Sequence, residues 1–277
     1  MAFTLTEVRE RTYKPRDAWW TVFLVDPLAG RLVVAAANRT SITPNQVTWA
    51  AFALGLGSAA CFVMGGWSWL AAGAVLYHLS FVLDCVDGKI ARLKGTGTVF
   101  GGWLDYVFDR IRVLACSVAL MWGQYRLTGQ DLYLVLGILV VFLDMLRYVD
   151  AFQVAKVRRA MRRQLDEVIG GPDKEHDEEH RVEPEELIDL QRGFRSRFSW
   201  YMVARDWLRD HRVRTHLMSG IEFQMAVFIV GPLLGLVVPV TLAAAGLLLV
   251  FEVAIMYKLW LSSRDLAKAL TGMRAGG

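Results

Sequence analysis

The segment Asp84–Asp109 reads DCVDGKIARLKGTGTVFGGWLDYVFD, and it carries two pairs of aspartates on two apolar stretches joined by a short basic link. Helical spacing puts the first pair on one face and the second pair on another. The first face holds Asp84, Asp87, Gly88, Ala91 and Arg92, and the second holds Gly101, Asp105 and Asp109. Carboxylates that meet at membrane depth are costly unless cations compensate them. Because carboxylate oxygens suit Mg²⁺ or Mn²⁺, the segment predicts a metal site between two helices.

The small residues on these faces leave two interpretations open. Gly88, Ala91 and Gly101 either allow close packing of helices or let a ligand approach the backbone. Arg92 stands one turn after Gly88, and its planar guanidinium suits a phosphate group. Together with the carboxylates, these residues predict a site for a metal and a phosphate.

The segment resembles the signature of the CDP-alcohol phosphotransferase family, D-x2-D-G-x2-A-R-x8-G-x3-D-x3-D, and every fixed position of that signature is matched. The resemblance implies a membrane enzyme of six helices that uses a CDP-alcohol and two Mg²⁺ or Mn²⁺ ions. The implied metal ligands are Asp84, Asp87, Asp105 and Asp109, and the implied CDP-alcohol contacts are Gly88, Ala91, Arg92 and Gly101. Asp105 and Asp109 are the implied catalytic residues, with Asp109 either a base or purely a metal ligand.

Composition and hydropathy predict an all-α polytopic membrane protein, because 55% of the residues are hydrophobic and lie in long blocks. The predicted transmembrane helices cover 45–64, 69–92, 99–122, 132–152, 218–236 and 241–260. The amphipathic stretch 17–37 contains Pro27 and is expected to lie along the membrane interface. Residues 1–16 are expected to form a flexible lead. The net charge of +4 lies in basic flanks and does not indicate a nucleic-acid partner.

The predicted organisation follows these helices. Its parts are a lead with the interfacial helix (1–40), helices 1–4 with the motif (41–155), a charged insertion with a juxtamembrane helix (156–216), helices 5–6 (217–262) and a tail (263–277). Basic residues concentrate in the lead, the link, the insertion and the tail. The positive-inside rule therefore places both termini and the motif on the cytoplasmic side of the cell membrane. The three cysteines lie in apolar segments and predict no disulfide framework.

Residues outside the motif supply further candidates. TPNQVT, which contains Asn45 and Thr48, resembles the family's first membrane helix near the nucleotide; ordinary helix capping explains it equally well. Five basic residues are candidates for binding an anionic acceptor: Arg110, Arg112, Arg147, Lys156 and Arg205. Each is equally an anchor on the positive side of the membrane. Arg147 is also within helical reach of Asp144 and Asp150, which predicts an internal salt bridge.

The predicted function is transfer of a phosphatidyl group from a CDP-alcohol to a hydroxyl, with release of CMP. The family's usual task favours CDP-diacylglycerol as donor, and the acceptor is inositol phosphate, glycerol phosphate or a similar polar alcohol. Membrane lipids and a second copy of the chain are the further partners that the resemblance implies. Two alternatives remain: a membrane prenyltransferase of the UbiA type, which also uses aspartate-rich motifs, and a non-enzymatic scaffold or transporter.

Overall fold

The structure is a computed structural model that describes residues 2–169, 207–208, 210–214 and 218–275. In these residues all regular structure is helical, apart from one bridge between Asp17 and Val213. The predicted all-α fold is therefore confirmed. The charged loop 170–197 and the acceptor candidate Arg205 lie outside the described residues.

The described part of the chain forms its α-helices in the following order. They are α1 (Leu5–Thr12), α2 (Asp26–Arg39), α3 (Pro44–Met64), α4 (Trp67–Lys94), α5 (Val99–Thr128), α6 (Leu132–Ile169), α7 (Gly220–Met225), α8 (Gly231–Leu234) and α9 (Val237–Ala275). π-helical turns at Thr21–Val25 and Ala226–Val230 precede α2 and join α7 to α8.

Local sequence explains where the central helices begin and end. Thr43 and Gln46 form a reciprocal capping box at the start of α3, and Pro44 suits its first turn. Thr98 accepts a hydrogen bond from the backbone N–H of Gly101 and caps α5. α4 ends at Gly95, whose φ of 63° is the left-handed conformation that glycine adopts most readily.

Among the described residues, five helical stretches are long and apolar enough to cross a membrane. They are Thr21–Arg39, Pro44–Met64, Trp67–Lys94, Leu132–Gln164 and Val237–Ala267. Two predicted spans fall outside this set. The 30-residue helix α5 is long enough to cross but more polar, and Gly220–Leu234 is apolar but too short to meet the length of a span. The chain is thus a polytopic membrane protein, and the number of six spans stays a prediction.

The stretch Thr21–Arg39 follows α4 over several turns. The ring of Trp20, which directly precedes the stretch, lies 6.1 Å from that of His78 in the middle of α4, and the carbonyl of Ile42, just after it, accepts a hydrogen bond from Lys94 at 3.5 Å. Length and hydropathy allow the stretch to cross a membrane, and its interfacial position stays a prediction.

The expectation of a flexible N-terminal lead is wrong. α1 is closed by a capping box between Thr4 and Glu7, and Val8 is fully buried. The side chain of Asn38 also exchanges two hydrogen bonds with the backbone of Phe3, at 2.7 and 2.9 Å. Residues near the start of the chain are therefore packed, and α1 contacts both α2 and α4.

The chain divides into two compact units: Met1–Met145 with Leu208–Leu248, and Leu146–Trp207 with Leu249–Gly277. The core of the first unit contains the fully buried rings of Phe62, Tyr77, Phe223 and Phe228. In the second unit, Arg147 forms ion pairs with Glu252 and Asp150. The predicted domain boundaries follow membrane topology and stay a prediction.

Candidate functional site

The motif lies on the last third of α4 and the first third of α5. Both helices pack against α3, and they make few direct contacts with each other. Asp84 and Asp87 on α4 lie within electrostatic range of Asp105 and Asp109 on α5. The structure thus brings the four predicted carboxylates together, as their helical spacing suggested.

Arg112 is the main internal partner of these carboxylates. Its guanidinium pairs with Asp84 at 3.4 Å and with Asp109, and it donates to the hydroxyl of Ser80 at 3.1 Å. Its side chain is only 3% exposed. Because the guanidinium is buried among groups of the protein, the structure argues against the predicted role of Arg112 in binding an acceptor. It acts instead as a counter-ion that joins α4 to α5.

Gly55 on α3 makes room for this arginine. A Cβ at Gly55 would lie 2.6 Å from Cδ of Arg112 and 3.2 Å from Oγ of Ser80. Real Cβ atoms do not approach other atoms so closely, so a larger residue would displace the guanidinium. The helix–helix contact and the counter-ion therefore depend on the same glycine.

The start of α3 reaches the motif through Thr48 and Asn45. Thr48 is buried, and its hydroxyl donates to Asp87 at 2.6 Å. The side-chain oxygen of Asn45 lies 2.9 Å from the position that a Cβ would take at Gly101. Both candidate nucleotide contacts therefore lie beside the motif, and Thr48 also orients one of its carboxylates.

Arg92 and Gly88 form the open side of the motif. The nearest atoms to a Cβ built at Gly88 belong to the guanidinium of Arg92, at 3.6 to 4.0 Å. Nε of Arg92 donates to the carbonyl of Thr12 at 3.1 Å, which fixes the side chain at its inner end. Ala91 lies on the same helix and is partly exposed. Arg92 is thus held above a glycine that leaves space for a ligand.

The other acceptor candidates have different surroundings. Arg110 pairs with Asp144 and lies 3.8 Å from Asp109. Asp144 also accepts a hydrogen bond from Gln224 at 2.7 Å. Its partners are therefore Arg110 and Gln224 rather than the predicted partner Arg147. In the second unit Arg147 pairs with Glu252 at 3.1 Å and with Asp150 at 3.7 Å, so the predicted internal salt bridge forms with Asp150.

Lys156 is exposed on the second unit. A role of Lys156, Arg110 or Arg147 in binding an acceptor stays a prediction.

Sequence reasoning missed a buried ion pair beside the motif. Lys89 on α4 lies 3.0 Å from Asp26 on α2, and both side chains are 6% exposed. Arg212 approaches the other oxygen of Asp26 at 3.5 Å. An acidic residue within an apolar, amphipathic stretch was the signal that could have revealed this pair.

The carboxylates are a suitable donor set for a divalent cation. Oδ1 of Asp105 is buried without a hydrogen-bond partner, which is the kind of atom that a cation satisfies. In the described part of the chain, however, no three histidine, cysteine or carboxylate side chains are grouped at metal-binding distances. The residue types and their proximity therefore fit a metal, while the distances between them do not define its position.

The fold and site define a polytopic membrane protein in which two neighbouring helices carry four aspartates beside an exposed arginine. The family model described as CDP-alcohol phosphatidyltransferase matches residues 41–170, which include the whole motif. These residues therefore carry a domain of that family, and the resemblance inferred from the motif is confirmed.

Curated relatives agree with this assignment. A phosphatidylinositol phosphate synthase of Corynebacterium glutamicum is 35% identical over 99 residues, which are 36% of this chain and 42% of that protein. Another from Mycolicibacterium smegmatis is 33% identical over 123 residues, which are 44% of this chain and 54% of that protein. An archaetidylinositol phosphate synthase of Methanothermobacter thermautotrophicus is 31% identical over 85 residues, or 31% of this chain and 42% of that protein. The chain thus spans about half the length of the curated relatives it matches.

Proposed function

We propose that the chain is a CDP-alcohol phosphotransferase of phospholipid biosynthesis. It transfers the substituted phosphate of a CDP-alcohol to the hydroxyl of a polar acceptor and releases CMP. The observation that carries this proposal is the meeting of Asp84, Asp87, Asp105 and Asp109 beside Arg92 and the open Gly88. A metal-bound diphosphate needs anionic oxygens to hold the metal and an arginine to bind a phosphate oxygen. It also needs open space beside the backbone.

The four motif carboxylates would hold two Mg²⁺ or Mn²⁺ ions. When bound, such ions neutralise the charge of the diphosphate and make CMP a better leaving group. Asp105 is the first candidate among the ligands because its Oδ1 has no hydrogen-bond partner. Thr48 orients Asp87, and Arg112 holds Asp84 and Asp109 in place.

Other residues of the site bind the CDP-alcohol and take the proton of the acceptor. Arg92 binds a phosphate oxygen, while Gly88 and Ala91 let the nucleotide approach the helix. Asn45 and Gly101 lie together at the edge of the motif, where they contact the CDP-alcohol. The acceptor oxygen attacks the phosphorus that carries the alcohol, the bond to CMP breaks, and Asp109 takes the proton of the acceptor hydroxyl. Service as a metal ligand alone is the alternative role of Asp109.

The proposed donor is CDP-diacylglycerol, and the proposed acceptor is an inositol phosphate. The names of the two phosphatidylinositol phosphate synthases support both, whereas the name of the archaetidylinositol phosphate synthase supports the acceptor alone. The reaction would take place on the cytoplasmic side of the cell membrane, where the positive-inside rule puts the motif. A homodimer surrounded by membrane lipids is the proposed assembly.

Release of CMP by the purified protein tests the proposal. The assay contains CDP-diacylglycerol, Mg²⁺ or Mn²⁺, and in separate reactions inositol phosphate, glycerol phosphate or inositol. We expect CMP that requires the acceptor, disappears with a chelator and disappears in Asp84→Asn. CMP formation by Asp109→Asn at a near-normal rate would exclude Asp109 as the base.

The same assay separates the alternatives. A non-enzymatic scaffold or transporter would release no CMP with any acceptor and would show no metal-dependent binding of the nucleotide. A prenyltransferase would instead consume a prenyl diphosphate and release inorganic diphosphate. The family of residues 41–170 favours the phosphotransferase over both.

A further inference from the structure

A cavity separate from the motif lies between the N-terminal segment and the turn at residues 210–214. Its volume is about 450 Å³, and none of its described lining residues belongs to the motif. Arg9, Tyr13, Lys14, Asp26 and Arg212 supply its polar lining. Small-molecule sites commonly enclose roughly 300–1,000 Å³, so the cavity has room for a small polar headgroup.

The cavity has an excess of positive charge. Arg9, Lys14 and Arg212 line it, and the carboxylate of Asp26 is already paired with Lys89 at 3.0 Å and with Arg212 at 3.5 Å. Glu10 is the other acidic residue of the lining. An anion is therefore the ligand that this lining favours.

The inner wall of the cavity is rigidly built around Arg212. Its guanidinium donates two hydrogen bonds to the carbonyl of Lys14, at 2.7 and 3.2 Å, and one to Asp26. These bonds use three of the five N–H donors of the side chain, so two donors remain for a ligand. The residue adopts a φ of 60°, in the left-handed region that residues other than glycine rarely occupy.

Neighbouring residues hold this conformation in place. Asp17 exchanges backbone hydrogen bonds of 2.9 Å with Arg212 and Arg214. The ring of Tyr13 lies 4.8 Å from the guanidinium of Arg212. Burial raises the pKa of Tyr13, so its hydroxyl keeps its proton and donates to the carbonyl of Asp26 at 2.8 Å. In contrast, Arg9 and Lys14 are exposed and can turn toward a ligand at the rim.

We propose that this cavity is a second binding site for a phosphate group carried by a polar headgroup. Arg212 provides the fixed donors at the inner wall, and Arg9 and Lys14 close over the phosphate from the rim. The ligand is either a soluble phosphomonoester or the headgroup of an anionic lipid at the membrane surface. The site does not depend on the proposed reaction, because the motif does not line it.

The test compares two double variants of the full chain. Arg9→Gln/Lys14→Gln removes both rim cations, whereas Arg11→Gln/Arg16→Gln removes the same charge from neighbouring exposed positions outside the lining. Each protein is placed in phosphatidylcholine nanodiscs. Binding of inositol 1-phosphate is measured by calorimetry in the presence of a chelator, in the native motif and again in an Asp84→Asn background. Retention of phosphatidylglycerol or phosphatidylinositol from mixed-lipid nanodiscs is measured by native mass spectrometry.

Loss of about tenfold in affinity for inositol 1-phosphate only in Arg9→Gln/Lys14→Gln identifies a soluble phosphomonoester as the ligand. Selective loss of the anionic lipid in the same variant identifies a lipid headgroup. Persistence of either effect in the Asp84→Asn background shows that the site is independent of the motif and of the proposed reaction. Equal binding of both probes by the two double variants would overturn the proposal.

Melting temperatures check that both double variants are folded. Should Arg9→Gln/Lys14→Gln melt early, Lys14→Gln against Arg16→Gln repeats the comparison with single substitutions. The same criteria apply to this pair: a selective loss of binding in Lys14→Gln supports the site, and equal binding contradicts it.

Discussion

At the scale of single residues, Arg112 decides how the motif is held. Its guanidinium is buried and connects Asp84 on α4 with Asp109 on α5. A buried ion pair adds little net stability, but removal of one partner leaves a charge without compensation. A substitution that removes or displaces the guanidinium of Arg112 is therefore expected to disturb the motif.

Replacement of Arg112 by glutamine should destabilise the protein strongly. The two aspartates would lose their common counter-ion, and a broken buried pair typically costs about 3–5 kcal/mol. Arg126→Gln is the matched control, because Arg126 lies on the same helix and is exposed. The measurement is the melting temperature of each purified variant. A melting temperature of Arg112→Gln equal to that of the control would contradict the role of Arg112 as counter-ion.

Replacement of Gly55 by alanine should disturb the same arginine from the opposite side. The added methyl group would overlap Cδ of Arg112, and overpacking of this kind costs about 1–3 kcal/mol. At Gly57, two residues further along α3, the nearest atom to an added Cβ is 3.8 Å away. Gly57→Ala should therefore be neutral or stabilising, since alanine favours a helix by about 1 kcal/mol over glycine.

Melting temperature and CMP release distinguish the two glycine variants. Gly55→Ala is expected to lower both, while Gly57→Ala leaves CMP release unchanged. If both variants behaved alike, the space at Gly55 would not be what positions Arg112.

At the scale of elements, the N-terminal segment is attached to the motif helix by charges. Asp26 on α2 joins Lys89 on α4 to Arg212 beyond the insertion, and Arg92 on α4 is bonded to the carbonyl of Thr12. A motif residue thus donates a hydrogen bond to a segment that lies far away in the chain. Movement of this segment would change the orientation of Arg92.

A double-mutant cycle tests the attachment between α2 and α4. Asp26→Asn leaves Lys89 buried without its carboxylate, and Lys89→Met leaves Asp26 with only Arg212 nearby. Each single variant should melt well below the native protein, since breaking a buried pair costs about 3–5 kcal/mol. The double variant should lose clearly less than the sum of the two losses, because it leaves no lysine without a partner. Strictly additive losses in melting temperature would show that the two residues do not interact.

At the scale of the whole molecule, the open question is which helices cross the membrane. Hydropathy allows Thr21–Arg39 to cross, whereas Pro27 and the amphipathic pattern predict that it lies along the interface. With this stretch at the interface, an even number of crossings puts both termini on the side that carries most basic residues. α5 has 30 residues and is about 45 Å long, which is enough to cross despite its polar motif.

Cysteine labelling decides the topology. In a variant whose three native cysteines are replaced by alanine, single cysteines are introduced at Arg16, Thr40, Thr96 and Gly129. A membrane-impermeant maleimide should label position 129 in intact cells, and positions 16, 40 and 96 only after permeabilisation. Labelling of positions 16 and 40 from opposite sides would show that Thr21–Arg39 crosses the membrane, and the count of spans would change accordingly.

The sequence by itself determined the all-α membrane fold, the bounds of the central helices and the motif. Predicted spans 45–64 and 69–92 agree with α3 and α4 to within two residues at each end. These features are predictable because apolar length, caps and left-handed glycines act within a few neighbouring residues. The fixed spacing of the motif likewise puts its carboxylates on helix faces without any knowledge of the fold.

Only the tertiary structure decided which charges meet. In the folded chain Arg112 pairs with Asp84 and Asp109, and Asp26 pairs with Lys89 and Arg212. The tertiary structure also packed the N-terminal segment against α4, where composition had suggested a flexible lead. These partners come from helices far apart in the chain, and a basic residue near a membrane surface has the same local signature whether it binds a substrate or an internal carboxylate. Packing resolves that ambiguity because burial makes an uncompensated charge too costly to leave unpaired.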